Sequence, residues 1–409
     1  MEMEVREEVE LLMQGTEYGD AELAARMASE LEERVVQTRR EGRPLRVYCG
    51  FDPRTSDLHL GHMVPIRKLR QFQELGHEVT FLVGTGTALI GDPSDKTGLR
   101  AAMSRQEAME NGRTYAEQAF RMLDPGKTRV RFNHEWLEGL RLEELSRLAA
   151  QFTIQQILSR ENFHARWQRG DPVYLHETLY SLMQGYDAFT LQADVQVGGS
   201  DQLFNIVTAS RRLMSALGAR PNVALIVGIL PGTDGSVKMS KSLGNHIRIL
   251  ASPQDMYGKV MSVPDTAMRS FFDLATPLPP ADVAVLFRRV DSGLLHPRDL
   301  KMRLAREIVS AFHSPNEART AEEEFVRVFQ RSETPQEVPE LRIAGPVALT
   351  EALVSGGLLP SRSEARRLIT QRGIRVDGVV VESDRMVEET CLVQVGKRRF
   401  LRVSRGPSG

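Results

Sequence analysis

Two short runs in this 409-residue chain bring together the residue types that phosphate chemistry uses. The first is His59-Leu60-Gly61-His62. It follows an apolar run, Arg46 to Phe51, and a loop, Asp52-Pro53-Arg54-Thr55-Ser56-Asp57, and it opens a segment of helical pattern whose first turn is expected to tolerate Pro65. A helix that starts just beyond the carboxyl end of a parallel strand turns free amides and the positive end of its dipole into the crevice where α/β sheets bind nucleotides. There Gly61 lets a flat ligand approach the backbone, and His59 and His62 offer N–H donors to phosphate oxygens. In isolation a His-x-x-His pair reads equally as two ordinary helix-start histidines or as a metal pair. The second run is Lys238-Met239-Ser240-Lys241-Ser242, in a loop flanked by Gly232, Gly235 and Gly244. Two lysines three apart in a flexible segment can close over a triphosphate and neutralise charge as pyrophosphate leaves. Alone, that run is also a solvated basic turn.

The elements that carry these runs follow from the apolar pattern. Short apolar runs (Arg46 to Phe51, Val79 to Gly84, Val130 to Phe132, Val223 to Leu230) alternate with longer segments of helical periodicity, the pattern of a parallel sheet with crossover helices. The stretch over about 105–193 is mostly helical and too long for one crossover, so it reads as an insertion between the halves of the sheet. From Ser252-Pro253, an N-cap and first-turn proline, the pattern turns helical, and Leu300, Leu304, Ile308 and Phe312 recur every four residues. Pro335, Pro339 and Pro346 mark a partly extended linker. The expected organisation is a Rossmann-type α/β catalytic domain over 1–245, an α-helical domain over 246–331, a linker over 332–346 and a small α+β domain over 347–409. In that last domain Ser361 and Glu364 form a capping-box pair, Ala365, Leu368 and Ile369 supply an apolar face, Gly373 suits a helix stop, and Asp377-Gly378 joins Ile374–Val376 to Val379–Val381 as a two-residue hairpin.

Composition narrows the class. The two cysteines, Cys49 and Cys391, lie far apart, against a disulfide framework or a cysteine metal site and in keeping with a reducing cytosol. The acidic start of the chain lacks the basic and apolar regions of a signal peptide, and no apolar run is long enough for a membrane helix. A formal net charge of -1 leaves a nucleic-acid partner to local charge. That charge gathers as Arg362, Arg366, Arg367, Arg372 and Arg375 around the capped helix and hairpin, with Lys397, Arg398, Arg399 and Arg402 beyond, either a solvated face or a phosphate-holding one.

These residues resemble a known family. His59-Leu60-Gly61-His62 looks like the HIGH signature of class I aminoacyl-tRNA synthetases, with Leu for Ile, and Lys238 to Ser242 matches their KMSKS signature at every position. Tyr48-Cys49-Gly50-Phe51-Asp52-Pro53, Gly91-Asp92-Pro93-Ser94, Tyr180-x-x-x-Gln184-x-Tyr186-Asp187 and Gln196-Val197-Gly198-Gly199-Ser200-Asp201-Gln202 resemble the tyrosyl-tRNA synthetases of bacterial type, over nearly the whole chain. The resemblance implies that tyrosine is activated with ATP to the adenylate and passed to tRNA(Tyr), with His59, His62, Lys238 and Lys241 as the catalytic groups. It implies ATP contacts at Gly50, Asp52, Pro53, His59, Gly61, His62, Gly199, Asp201, Lys238, Met239, Ser240, Lys241 and Ser242. Tyrosine contacts are implied at Tyr48, Thr87, Asp92, Tyr180, Gln184, Asp187, Gln196 and Gln202.

Elementary chemistry agrees. A phenol needs a partner that accepts its proton and one that donates in return, as Asp187 and Tyr48 do, and phenylalanine leaves both unpaired. An ammonium group needs clustered acceptors, which Asp92, Tyr180 and Gln184 supply; Tyr180, Gln184 and Asp187 also share one helical face. Asp201 suits a ribose hydroxyl, and equally a turn cap. Magnesium is implied with ATP and no protein metal site is expected. The segment from Val347 to Val403 resembles the alpha-L RNA-binding domain, and a cytoplasmic homodimer built through the catalytic domains is implied. One departure stands out: many relatives carry Thr after Pro53, where this chain has Arg54 and then Thr55, so the γ-phosphate contact is open. Tryptophan activation, and a nucleotidylyltransferase acting on a small metabolite, are the competing readings.

Overall fold

The computed structural model of the protein describes residues 3–94, 103–330, 338–396 and 399–405. They form two compact units, Met1–Pro315 and Asn316–Gly409.

The first unit opens with α1 (Val5–Met13) and α2 (Ala21–Arg40) and is built on a parallel sheet. Its strands are β1 (Arg46–Phe51), β2 (Glu78–Val83), β3 (Thr128–Phe132), β4 (Val195–Gly199) and β5 (Val223–Val227), in the order β3-β2-β1-β4-β5. The apolar runs therefore mark strands as expected, with ends shifted by a few residues. β4 carries no such run, because Gln196 interrupts it and two glycines end it. A buried ion pair from Arg34 on α2 to Asp194 at 2.8 Å fixes the start of β4, with Arg43 sharing the same carboxylate at 2.6 Å.

α3 (Leu60–Glu74) and the one-turn α4 (Thr87–Ile90) follow β1 and β2. Pro65 lies in the second turn of α3 rather than the first, and its missing N–H removes the helical donor to the Gly61 carbonyl. α5 (Arg105–Ala119) crosses from β2 to β3, so the stretch read as one helical insertion carries a sheet strand within it. Between β3 and β4 run six helices: α6 (His134–Leu137), α7 (Leu142–Ala149), α8 (Ile154–Leu158), α9 (Glu161–Arg169), α10 (Leu175–Thr178) and α11 (Tyr180–Thr190). After β4 the chain makes a 3-10 turn (Ser200–Gln202), a π-helical stretch (Phe204–Ser210) and α12 (Arg211–Ala216) before β5.

Past β5 a long loop leads to α13 (Pro253–Met261), whose N-cap Ser252 accepts from the Asp255 amide, then α14 (Met268–Ala275), α15 (Pro280–Asp291) and α16 (Pro297–Phe312). Leu300, Leu304, Ile308 and Phe312 form the buried stripe of α16, as their spacing requires. Among the described residues no helix is long and apolar enough to cross a membrane.

The second unit contains α17 (Pro315–Gln330) apart from its first residue, β6 (Glu340–Ile343), β7 (Val347–Ala348), α18 (Leu349–Ser355), α19 (Arg362–Thr370), β8 (Ile374–Val376), β9 (Val379–Val380), β10 (Met386–Val387), β11 (Cys391–Val395) and β12 (Arg399–Arg405). β6-β12-β11-β8-β9 make one sheet and β7 pairs with β10; a core from Ile343 to Val403 packs between them and the two helices α18 and α19. The hairpin forms as read: Asp377 and Gly378 have φ of 48° and 81°, the left-handed pair that a tight two-residue turn requires. Ser361 accepts from the Glu364 amide, half of the expected box, while the Glu364 carboxylate lies 3.6 Å from Arg367. The helix stop is a correction. Arg372, not Gly373, takes the left-handed conformation (φ 56°), and Gly373 follows it, donating to the Leu368 carbonyl at 2.8 Å.

Candidate active site

The crevice opens where the sheet reverses direction. β1 and β4 pair only at Val47–Val195 and Tyr48–Gln196; beyond Tyr48 they part. Gly50, on the central strand, is consequently solvent-exposed, leaving bare backbone at the mouth of the site.

The phosphate side is built from two segments clamped together. His59, the extended N-cap residue of α3, bridges to Arg248, while Leu60 donates to the Ile247 carbonyl at 3.0 Å and Ile249 to that of Leu58 at 3.3 Å. The Lys238–Ser242 run therefore faces the start of α3. Met239 is buried, and the His59 ring would stand 3.1 Å from a Cβ on Gly61, which Met239 would meet only in ordinary contact. The loop is stapled by Asn245, whose Oδ1 accepts from the Ser240 amide at 2.8 Å and whose Nδ2 donates to Asp234. Both lysines reach carboxylates: Lys238 Nζ lies 2.6 Å from Asp201, and Lys241 Nζ 3.6 Å from Asp57, which also pairs with Arg248 at 3.4 Å. Ser240 and Ser242 hydroxyls are 2.9 Å apart.

The two histidine rings lie with centroids 3.9 Å apart and planes tilted by 36°. Burial, aided by each other's proximity and by Lys238, pushes His59 down to about 2, and burial with Lys238 pushes His62 down to about 4. Both stay neutral at physiological pH. His62 Nδ1 accepts from the His59 amide at 3.2 Å, so its proton sits on Nε2, where a neutral imidazole can donate to an anion.

The Arg54 guanidinium donates to the Ala88 carbonyl at 2.7 Å, and the Thr55 hydroxyl lies 3.1 Å from that of Tyr115.

The other end of the crevice is a cluster of buried polar side chains. α11 carries Tyr180, Gln184 and Asp187 on one face, as their spacing implies. Asp187 is buried and accepts from Trp136 Nε1 at 2.8 Å and Asn133 Nδ2 at 3.1 Å; burial nevertheless pushes its carboxyl up to about 8. Tyr48 extends from β1 with its hydroxyl buried, and burial next to Asp187 drives that phenol well above its ordinary range. Tyr48 Oη and Gln184 Oε1 have no hydrogen-bond partner among the described residues, the condition of groups awaiting a polar ligand. A relay links pocket to mouth: Asn133 donates to Thr87 Oγ1 at 3.1 Å, Thr87 to Asp52 Oδ1 at 2.7 Å, and Tyr180 Oη to Asp52 Oδ2 at 3.1 Å. Gly84 is required there, since a Cβ on it would stand 2.2 Å from Asp52. Pro53 follows in the same loop, its carbonyl taken by Asn111 at 3.1 Å.

Asp92 is engaged by Arg160, Ser94 and Gln202, and Gln196 is fully buried with Oε1 held by Asn222 at 3.0 Å. Gly199 lies under the Asp201 carboxylate, which would meet a Cβ at 2.6 Å. Asn133, Trp136 and Arg160 are site residues that the sequence reading missed. The first two sit at the carboxyl end of β3, the position where parallel strands deliver functional groups, and that was their signal. Arg160, in a helical arm, had none.

In the second unit Arg362, Arg366, Arg367, Arg372 and Arg375 are all exposed. Arg362 pairs with Glu351 and Arg372 with Glu382, each at 3.0 Å. Arg402 is exposed as well, and Arg399 donates to the Leu358 carbonyl; Lys397 and Arg398 lie outside the described residues.

Comparison with known proteins agrees with this geometry. The family model for class I tRNA synthetases (W and Y) matches residues 40–330, and that for the S4 domain matches residues 352–390. The chain is 45% identical over 407 residues to a tyrosine–tRNA ligase of Moorella thermoacetica, covering 98% of this chain and 97% of that one. It is 43% identical over 371 residues to one of Haemophilus influenzae, covering 90% and 92%. A tyrosyl-tRNA synthetase of Archaeoglobus fulgidus, solved with L-tyrosine, shares the fold at a TM-score of 0.60 and 22% identity, over 78% of this chain and 100% of that one. The crevice, its two lysine and histidine runs, and this likeness along almost the full length place the chain in the tryptophan- and tyrosine-type class I tRNA synthetases, among the tyrosine–tRNA ligases.

Proposed function

We propose that this chain activates tyrosine with magnesium-bound ATP and esterifies it to tRNA(Tyr), working as a cytoplasmic homodimer. The observation that carries the tyrosine reading is the buried polar cluster, where Tyr48 Oη has no partner among the described residues and Asp187 offers a carboxyl already oriented by Trp136 and Asn133. A para-hydroxyl satisfies both groups at once. An indole carries a single donor at a different position and leaves Tyr48 unpaired.

In the first step a tyrosine carboxylate oxygen bonds to the α-phosphorus of ATP as the bond from that phosphorus to the bridging oxygen breaks, and pyrophosphate leaves. Asp92, Tyr180 and Gln184 receive the ammonium group, with Gln202 and Gln196 fixing the wall behind it. Gly50, Asp52 and Pro53 line the approach of ATP, Gly61 and Met239 border the base, and Gly199 and Asp201 take the ribose. His59 and His62 donate neutral N–H groups to phosphate. Lys238 and Lys241, supported by Ser240 and Ser242, exchange Asp201 and Asp57 for the triphosphate, whose negative charge is the stronger attraction. Magnesium enters as part of the nucleotide and adds charge neutralisation on the leaving pyrophosphate. In the second step a ribose hydroxyl at the 3′ end of the tRNA takes the tyrosyl group and AMP leaves.

Exposed arginines of the S4 region suit tRNA phosphates. A homodimer would cover large apolar side chains exposed on the helices between β3 and α11, among them Leu142, Trp167 and Leu175.

ATP–pyrophosphate exchange with tyrosine, tryptophan and phenylalanine supplied separately tests the reading. Exchange with tyrosine alone is expected. Exchange driven by tryptophan moves the assignment to the sister activity, and exchange with none overturns it.

A further inference from the structure

Arg160 is the N-cap residue of α9, in the helical arm, yet its guanidinium points inward and is buried. Its Nη2 lies 3.2 Å from Asp92 Oδ1 and also bonds to Ser94 Oγ. Phe163 and Phe204 flank the guanidinium carbon, with ring centroids 5.6 Å and 5.8 Å away.

The same side chain starts a closed ring of hydrogen bonds. Arg160 Nη1 donates to Ser181 Oγ at 3.5 Å, Ser181 donates to Asn205 Oδ1 at 2.7 Å, and Asn205 Nδ2 donates to Gln202 Oε1 at 2.8 Å. Gln202 Nε2 then donates to Asp92 Oδ2, which returns to Arg160 through the ion pair. Every donor points from the cation toward the anion, so each bond polarises the next. Five parts of the chain meet in this ring: the Asp92 loop, the α8–α9 corner, α11, and the 3-10 turn and π-helical stretch after β4. A buried guanidinium persists only where such compensation is complete.

Asp92 gains most from it. Its Oδ1 receives Arg160, the Ser94 amide and the Ser94 hydroxyl, whereas Oδ2 receives only Gln202 among the described residues. Burial opposes the charge, but Arg160 and these hydrogen bonds hold the carboxyl below its ordinary range.

We infer that Arg160 is a positioning residue of the amino-acid site: by saturating Asp92 Oδ1 it keeps that carboxylate charged and turns Oδ2 toward the ammonium group of the bound tyrosine. The inference rests on the proposed tyrosine site. It also makes the helical arm a structural part of the pocket, since Arg160 belongs to the arm. Lysine cannot reproduce the role, because an ammonium is a point donor and cannot reach Asp92 and Ser181 as a fork does.

The test is ligand binding by calorimetry to the full-length protein and its Arg160→Met and Arg160→Lys variants. Three ligands are compared: tyrosine; tyramine, which lacks the carboxylate; and 3-(4-hydroxyphenyl)propanoate, which lacks the amino group. In Arg160→Met, tyrosine and tyramine are expected to weaken at least ~10-fold, the order set by losing one charge-assisted contact. The propanoate should stay within about twofold, because it never used Asp92. Arg160→Lys should fall between, and it carries the comparison if the methionine variant does not fold. A second readout is the pH profile: the acid limb of tyrosine affinity should move to higher pH once Asp92 loses its cation. Unchanged or tighter tyramine binding overturns the inference. So does selective loss of the propanoate, which would mean that Arg160 contacts the substrate carboxylate directly. Failure of the unmodified protein to bind tyrosine sinks the proposed site, whereas normal binding with indifferent variants sinks only Arg160.

Discussion

Asp187 shows how little latitude a single position in this pocket has. Each of its oxygens accepts from a fixed N–H: Trp136 cannot turn its donor away, and the Asn133 amide is locked because its Oδ1 accepts from the Gly86 amide at 2.8 Å. In Asp187→Asn one oxygen becomes an NH2 that must face one of these donors. The KM for tyrosine is therefore expected to rise at least ~10-fold, the scale of one mispaired buried polar group, with the KM for ATP within about twofold. Pyrophosphate exchange at varied tyrosine and ATP measures both, and unchanged tyrosine kinetics would remove Asp187 from the phenol site. His62 makes a prediction of the opposite kind, about stability. Its folded pKa near 4 lies below the unfolded value near 6.5, so between those limits the unfolded chain binds a proton that the folded one refuses, and stability falls as pH falls. At pH 5 the loss relative to pH 7 from this group is about 2 kcal/mol, an order-of-magnitude figure. His62→Gln should flatten that dependence in urea titrations at the two pH values, and an equal loss in both proteins would argue against a buried neutral imidazole. Residues such as His62 and Asp187 were legible because their spacing is local. Trp136, Asn133 and Arg160 were not, since each acts on a partner about 50 or more residues away in sequence that only the fold brings near.

Among the elements, the loop from Pro231 to Ile249 depends most on a residue with no chemistry of its own. Asn245 is buried and bonds to Ser240 and Asp234, so one amide closes both sides of the turn that presents Lys238 and Lys241. Asn245→Ala frees those groups while leaving the amino-acid pocket untouched. The rate of pyrophosphate exchange should drop on the order of 10-fold, with tyrosine affinity unchanged within about twofold, since contacts made chiefly in the transition state lower kcat and not ground-state binding. A rise in the KM for tyrosine with kcat intact would mean that the loop serves the wrong step. The glycines around this run identified it as a loop; its staple was invisible, because an asparagine after glycine reads as ordinary turn chemistry. Elsewhere the legibility of elements tracks the length of their pattern. α16 and the β8–β9 hairpin carry several agreeing signals each, and both formed where expected. β4 is short and polar at its second residue, so only pairing with β1 and β5 makes it a strand. The end of α19 went to Arg372 because a 6→1 hydrogen bond from Gly373 to Leu368 fixes the turn one residue earlier than the glycine suggests.

At the scale of the whole molecule, small-molecule chemistry is proposed for the first compact unit and the holding of RNA phosphates for the second. The core cluster of the second unit draws on Ile343 to Val403 and includes no residue of α17, so ending the chain after Gln330 removes that core whole. A chain ending there keeps the crevice, both signature runs and the helical arm. It should support tyrosine-dependent pyrophosphate exchange within about twofold of the full chain, because no group proposed for activation lies beyond that point. Charging of tRNA(Tyr) should fall at least ~10-fold at moderate salt, and its dependence on salt concentration should become shallower, since each arginine–phosphate contact removed takes its share of counterion release with it. Substituting glutamate for Arg366 and Arg367 in the intact chain should reproduce the charging defect at lower amplitude, as both guanidiniums are exposed on α19 and available to an approaching phosphate backbone. Filter binding and charging assays at several salt concentrations separate the two activities. Charging that survives truncation with its salt slope intact would move the RNA contacts to the first unit, whereas loss of exchange together with charging would mean that the small C-terminal unit is needed for the catalytic one to fold.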